Sequence, residues 1–276
     1  MQFLPTQVIR TVLTTVVVCI GMCASAAELV VPGAGPPEAV LKALAAAFNA
    51  AQRTHQVLVP TSSGVAGALR EIRTDTAVLA RMPRPLEEAE LPAGLRCLAF
   101  ARDSVVFFTG AGVKVRSVTQ SQLQDIFSGR ITDWRELGDE AAPIRVVVRQ
   151  PDESLLRVIR QAFPTFGQNG FGPDAKMVRL DPHMVDMLDR FDRAIGWGAS
   201  TSTALAKTPI RPLQLDGVAP TAANLASGKY PLSTDACLLF KGTLRDAAAQ
   251  SFIDFVFSPA GRGVIEGLGM VPLARK

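Results

Sequence analysis

Side chains that carry metal, redox or stacking chemistry are scarce here: 276 residues contain two His, one Tyr, two Trp and four Cys. His55 precedes a strand pattern and His183 stands in Asp181-Pro-His-Met-Val-Asp186, and neither has a second His or a Cys at ligand spacing. A metal centre therefore has no donor set. A serine hydrolase needs a strained Ser turn and a His partner, but no Gly-x-Ser-x-Gly or Ser-x-x-Lys occurs. Gly33-Ala-Gly35 has Glu38 where a dinucleotide fingerprint needs its third Gly, and Gly228-Lys229 lacks the rest of a phosphate loop. Neither an enzyme nor a cofactor is expected.

Charge of one sign is also missing. The only charge in the first 27 residues is Arg10, so the remainder carries 28 Lys and Arg against 25 Asp and Glu, or +3. With no basic block and no aromatic-basic interleaving, nucleic acid is not an expected partner, whereas a small anionic ligand is compatible. Long apolar runs are confined to the start. Thr11–Met22 follows Arg10 and precedes Ala24-Ser-Ala26-Ala27, the pattern of a cleavable secretory leader over residues 1–27. Bulky Met22 disfavours the competing reading, lipidation of Cys23. Downstream, no segment reaches the roughly 18 apolar residues of a membrane span. The leader predicts a soluble, exported protein whose only cysteines are Cys97 and Cys237, either paired or held as two buried small apolar residues.

What is present is alternation. Strand patterns at Leu29–Pro32, Gln56–Pro60, Ala77–Ala80, Leu98–Thr109, Ile144–Arg149, Ala194–Trp197, Ile210–Leu215 and Ala236–Lys241 are separated by helical spacings such as Val40, Leu41, Leu44 and Phe48. That order predicts an α/β protein with a mostly parallel sheet. Pro36, Pro37 and Glu38 suit a first helical turn, and Thr119 with Gln122 reads as a capping box. Ser258-Pro-Ala-Gly261 reads as the turn that stops a C-terminal helix.

Three strand-to-helix junctions can hold an anion: Gly33-Ala-Gly35, Ser62-Ser63-Gly64, and Arg149 through Ser154. Each offers backbone N–H groups at a helix start, to which Ser hydroxyls and the Arg fork add directional donors. Singly they are ordinary caps and turns. Jointly, at strand ends of an α/β sheet, they predict a ligand cleft.

Leu123-Gln-Asp-Ile-Phe-Ser-Gly-Arg-Ile-Thr-Asp-Trp-Arg-Glu-Leu-Gly138 resembles a stretch of the periplasmic phosphate-binding proteins of ABC importers (Pst type). So do Ser62-Ser-Gly64, Arg84-Pro-Leu86, Arg102-Asp-Ser-Val-Val106, Ala194-Ile-Gly-Trp197, Tyr230-Pro-Leu232 and Gly269-Met-Val-Pro-Leu273, in the family's order. The resemblance implies a two-lobed type II periplasmic binding fold with a ligand cleft between lobes joined by two crossover strands. Residues 28–105 and 235–276 would form lobe I and 106–234 lobe II, which puts Cys97 and Cys237 near the crossovers and makes a disulfide conceivable.

It also implies a monomer that captures phosphate or a related oxyanion in the periplasm for an ABC permease in the inner membrane. The ligand residues that match the family are Arg149, Ser62, Ser63 and Gly64; the junctions add Gly35 and Ser154 as N–H donors and Glu153 as a further ligand candidate. Three family positions differ: Pro37 falls where a Thr is usual, Val78 where an Asp is usual, and Glu153-Ser-Leu155 where Ser-Gly-Thr is usual. Glu153 either supplies the acceptor that Val78 removes or pairs with Arg149, an interaction of roughly 4 kcal/mol for unit charges about 4 Å apart at a dielectric of 20. The altered pocket leaves an alternative, the same fold used as a sensor or adhesion module, or for a non-phosphate solute.

Overall fold

A computed structural model describes residues 27–86 and 94–276. The leader expected over residues 1–27 lies outside them except for Ala27. The chain opens with β1 (Ala27–Val30), α1 (Glu38–Ala51), β2 (His55–Leu58), α2 (Gly64–Arg73) and β3 (Ala80–Met82), then enters the long β4 (Leu95–Thr109). The middle comprises β5 (Ser117–Val118), α3 (Gln120–Ser128), β6 (Arg145–Arg149), α4 (Ser154–Ala162), β7 (Lys176–Val178) and α5 (Asp181–Arg190). It continues through β8 (Ala194–Ala199), β9 (Arg211–Pro212), β10 (Gln214–Leu215) and α6 (Ala222–Ala226). β11 (Ser233–Lys241), α7 (Ala247–Phe257), α8 (Pro259–Gly267) and β12 (Val271–Pro272) close the chain.

Apolar side chains gather in separate cores. Leu41, Leu44 and Phe48 of α1 pack with Phe100, Leu238 and Phe252, and on the other side of β11 Ala68 and Ile72 pack with Met82 and Leu239. The second large core holds Phe107, Phe127, Trp134, Phe166 and Trp197. β4 feeds both large cores, with Phe100 in one and Phe107 in the other. β4 and β11 therefore join two lobes, and they pair antiparallel from Ser233↔Ser104 to Lys241↔Leu95. Cys97 and Cys237 are bonded across this pair, with their Cα atoms 5.7 Å apart.

The Leu123–Gly138 segment owes its shape to two caps. Thr119 and Gln122 cap α3 reciprocally, Gly129 ends it at φ 80°, and Asp133 with Glu136 caps the short 3-10 turn that carries Trp134. Leu123, Ile126, Phe127 and Trp134 are all buried.

Three expectations need correction. The sheet is mixed: β1–β2, β6–β7, β6–β8 and β5–β10 are parallel, but every pairing of β4 and β11 is antiparallel, because these strands run between the lobes in opposite directions. The Ile210–Leu215 run splits, with β9 on β4 and β10 on β5. Ser258-Pro-Ala-Gly261 starts a helix: Ser258 Oγ accepts the Gly261 N–H at 3.2 Å and Pro259 fills the first turn of α8, where its missing N–H costs nothing.

Candidate functional site

In lobe I the first two junctions are tied to one another through Arg81. Ser63 N–H donates to Gly33 O at 3.0 Å, and Ala34 N–H donates to Arg81 O at 3.1 Å. Gly33 is held at φ 136°, where a Cβ would lie 2.2 Å from Arg81 O, so this approach needs glycine. The Arg81 side chain is fully buried. It donates from Nε to Ala34 O (2.8 Å), from Nη1 to Val31 O (2.7 Å), and from Nη2 to Pro60 O (2.7 Å) and Glu38 Oε2 (3.3 Å). Burial pulls this guanidinium below its ordinary pKa, and Glu38 opposes that pull. Glu38 Oε2 also accepts the Ser62 N–H at 3.0 Å. Ser62 is buried and its Oγ accepts the Gly64 N–H at 3.2 Å, while Ser63 is exposed.

In lobe II, β6 ends at Arg149, a buried residue whose Nη1 donates to Asp181 Oδ1 at 2.8 Å and Nη2 to Arg179 O at 3.1 Å. Its Nε is buried without a partner. Glu153 turns both oxygens onto its own helix, Oε1 accepting Leu155 N–H at 2.9 Å and Oε2 accepting Leu156 N–H at 2.8 Å. Trp197 Nε1 also donates to Oε2 at 3.3 Å. Desolvation pushes the Glu153 carboxyl above its ordinary range; Arg149 works against this and Asp181 adds to it. The ion pair of Arg149 is thus with Asp181, not with Glu153. Ser154, half-buried, opens α4.

These corners face each other. A Cβ at Gly35 would lie 2.3 Å from Asp181 Oδ2, so the lobe I turn rests directly on the carboxylate that holds Arg149. A Cβ at Gly64 would be 3.9 Å from Leu180 Cδ2. Asp103, on β4, accepts from Ser200 Oγ and Thr201 Oγ1, both at 2.6 Å, and Thr201 Oγ1 also lies 3.4 Å from Pro36 O. Burial raises the Asp103 carboxyl above its ordinary range against these hydrogen bonds. Pro36, Pro37, Pro83, Asp103, Ala199 and Thr234 line the junction so closely that no water molecule fits among them.

Val78 is 41% exposed, and it is Arg81, three residues on, that reaches the helix starts. Glu38, Arg81, Asp103, Asp181 and Thr201 all stand at the junction without having been singled out from sequence as site residues. Glu38 and Asp181 resemble ordinary acidic first-turn residues, and nothing local marks an Arg in a short strand as buried. Among the described residues no three His, Cys, Asp or Glu side chains gather to hold a metal, and no helix is long and apolar enough to cross a membrane.

The model of the PBP superfamily domain matches residues 23–260. The phosphate-binding protein PstS of Borreliella burgdorferi is 23% identical over 76% of this chain and 76% of its own length. PstS of Bacillus subtilis is 29% identical over 59% of this chain and 52% of its own length. A Clostridium perfringens protein, described as a phosphate ABC transporter substrate-binding protein and solved with bound phosphate, superposes with a TM-score of 0.77. It is 21% identical, and the match covers 90% of this chain and all of that one.

Proposed function

Because this chain belongs to the PBP superfamily, we propose that it is a non-enzymatic solute-binding protein. It captures a small oxyanion of the phosphate class between its lobes and hands it to an ABC-type importer. One observation carries the reading: the buried Arg149 guanidinium at the lobe junction already holds an oxyanion group, the Asp181 carboxylate, against the turn at Gly35. Phosphate presents oxygens of the same kind, and an Arg fork with nearby helix-start N–H groups is suited to them. The relatives named as phosphate-binding favour this over a sensor or adhesion use of the fold.

In this reading Arg149 supplies charge and directional bonds. Ser62, Ser63 and Gly64 supply hydroxyl and N–H donors, Gly35 and Ser154 supply N–H groups, and Glu153 fixes the start of α4. Lobe I comprises residues 28–105 and 235–276, and lobe II residues 106–234. The mature protein is a periplasmic monomer from which the leader has been cleaved. Calorimetric titration of residues 28–276 with phosphate, sulfate and arsenate tests this. At least one should bind, and R149Q should lose that binding, because a buried charge-assisted contact is removed. No heat with any of the three would refute it.

A further inference from the structure

Two of the donors proposed for the ligand, the Arg149 guanidinium and the Ser62 N–H, are already answered by the chain's own carboxylates. Asp181 Oδ1 takes Arg149 Nη1, and its second oxygen faces Gly35 of the opposite lobe, with the Asp181 side chain only 10% exposed. Glu38 Oε2 takes the Ser62 N–H, and Glu153 takes the Leu155 and Leu156 N–H groups of α4. Of the three, only Asp181 touches both Arg149 and the facing lobe. Arg149 also retains a buried, unpartnered Nε, so its fork has donor capacity that Asp181 does not use. Asp181 is the first residue of α5, where the helix dipole favours a carboxylate whether or not Arg149 is bound to it.

We propose that Asp181 is an affinity-setting residue, a built-in competitor that occupies the anion position on Arg149, so that an external oxyanion binds there only against the Asp181 charge. The inference rests on the oxyanion reading above. Two like charges cannot share one guanidinium at a lobe junction without repulsion, which a dry site screens poorly. The resting cleft is therefore closed on an internal anion, and the capture threshold is set by the strength of the Arg149–Asp181 pair.

The test titrates inorganic phosphate into wild type, D181N, D181S and D186N, with thermal melts to establish that each variant folds. D181N should bind phosphate at least about tenfold more tightly, since a neighbouring carboxylate charge is gone. D181S, which removes the competing group altogether, should do the same. D186N changes a half-exposed aspartate of the same helix paired with Arg190, and should match wild type. Equal or weaker binding by both Asp181 variants, alongside measurable wild-type binding, would overturn the inference while leaving the oxyanion reading intact; so would an equal gain in D186N, which would make the effect one of bulk charge. Absence of phosphate binding in all four proteins would remove this inference and the phosphate form of the oxyanion reading.

Discussion

At the scale of single residues, the junction is governed by carboxyls whose surroundings set their charge. Asp103 and Glu153 are both raised above their ordinary range, by burial first of all. The folded state holds these protons more tightly than the unfolded chain does, so folding becomes less favourable as pH rises from the ordinary carboxyl range, about pH 4, through the raised values. Urea midpoints should fall over that range, and E153Q should show a shallower fall; an unchanged slope in E153Q would assign the dependence elsewhere. Asp133 behaves in the opposite way. Its bond from Arg135 holds it down at about 2, so the stability it adds is present above the ordinary carboxyl range and lost as pH falls towards that value. Because Asp133 is only half-buried and its partner Arg135 is exposed, that contribution is small. Arg149, Ser62 and the Gly33-Ala-Gly35 turn could be singled out from sequence because strand ends and helix starts are local patterns. Asp181 could not, since its role depends on Gly35 lying against it from a point 146 residues away in the chain.

At the scale of elements, the tie among α1, the Ser62 turn and β3 is the Arg81–Glu38 pair, buried on both sides. Removing one partner of a buried pair leaves an uncompensated charge, so E38A should destabilise the protein by about 3–5 kcal/mol, measured by denaturant unfolding. A cost below about 1 kcal/mol would mean that the carbonyls around Arg81 suffice without Glu38. The β4–β11 pair carries the Cys97–Cys237 bond, which closes a loop spanning 140 residues. Native protein should therefore show no free thiol until reduced, and C97A/C237A should lose about 2–4 kcal/mol. Two reactive thiols in unfolded, unreduced protein would contradict the bond. Most elements are legible in the alternation of strand and helix patterns. Sheet direction is not, because antiparallel crossing by β4 and β11 is fixed by the return of the chain between lobes and leaves no local mark. The Ser258-Pro-Ala-Gly261 run misleads for a related reason: Ser258 ends α7 and also caps α8, so the same residues read as a stop and as a start, and the close approach of Gly261 to Phe255 O and Val256 O belongs to the corner between the two helices.

At the scale of the whole molecule, two cores are joined by paired strands and meet again at the junction where Gly35 lies on Asp181 and Thr201 on Pro36. A small anion bound there touches both lobes at once, which is how a weak ligand can select a closed arrangement. The Leu123–Gly138 segment, the most recognisable stretch of the sequence, lies in the scaffold, with its apolar residues buried in the lobe II core and none at the groove. Much of the family likeness is thus written in packing, while Pro37 and the Glu153-Ser-Leu155 run, at the strand-to-helix junctions, depart from it. The central claim is that an oxyanion sits between Arg149 and the Ser62–Gly64 turn. It is tested most directly by crystals grown with arsenate, whose anomalous signal locates the anion. One arsenic peak within hydrogen-bond reach of Arg149, facing the Gly35 and Ser62–Gly64 turns, is the expected result. Arsenic bound elsewhere would contradict it.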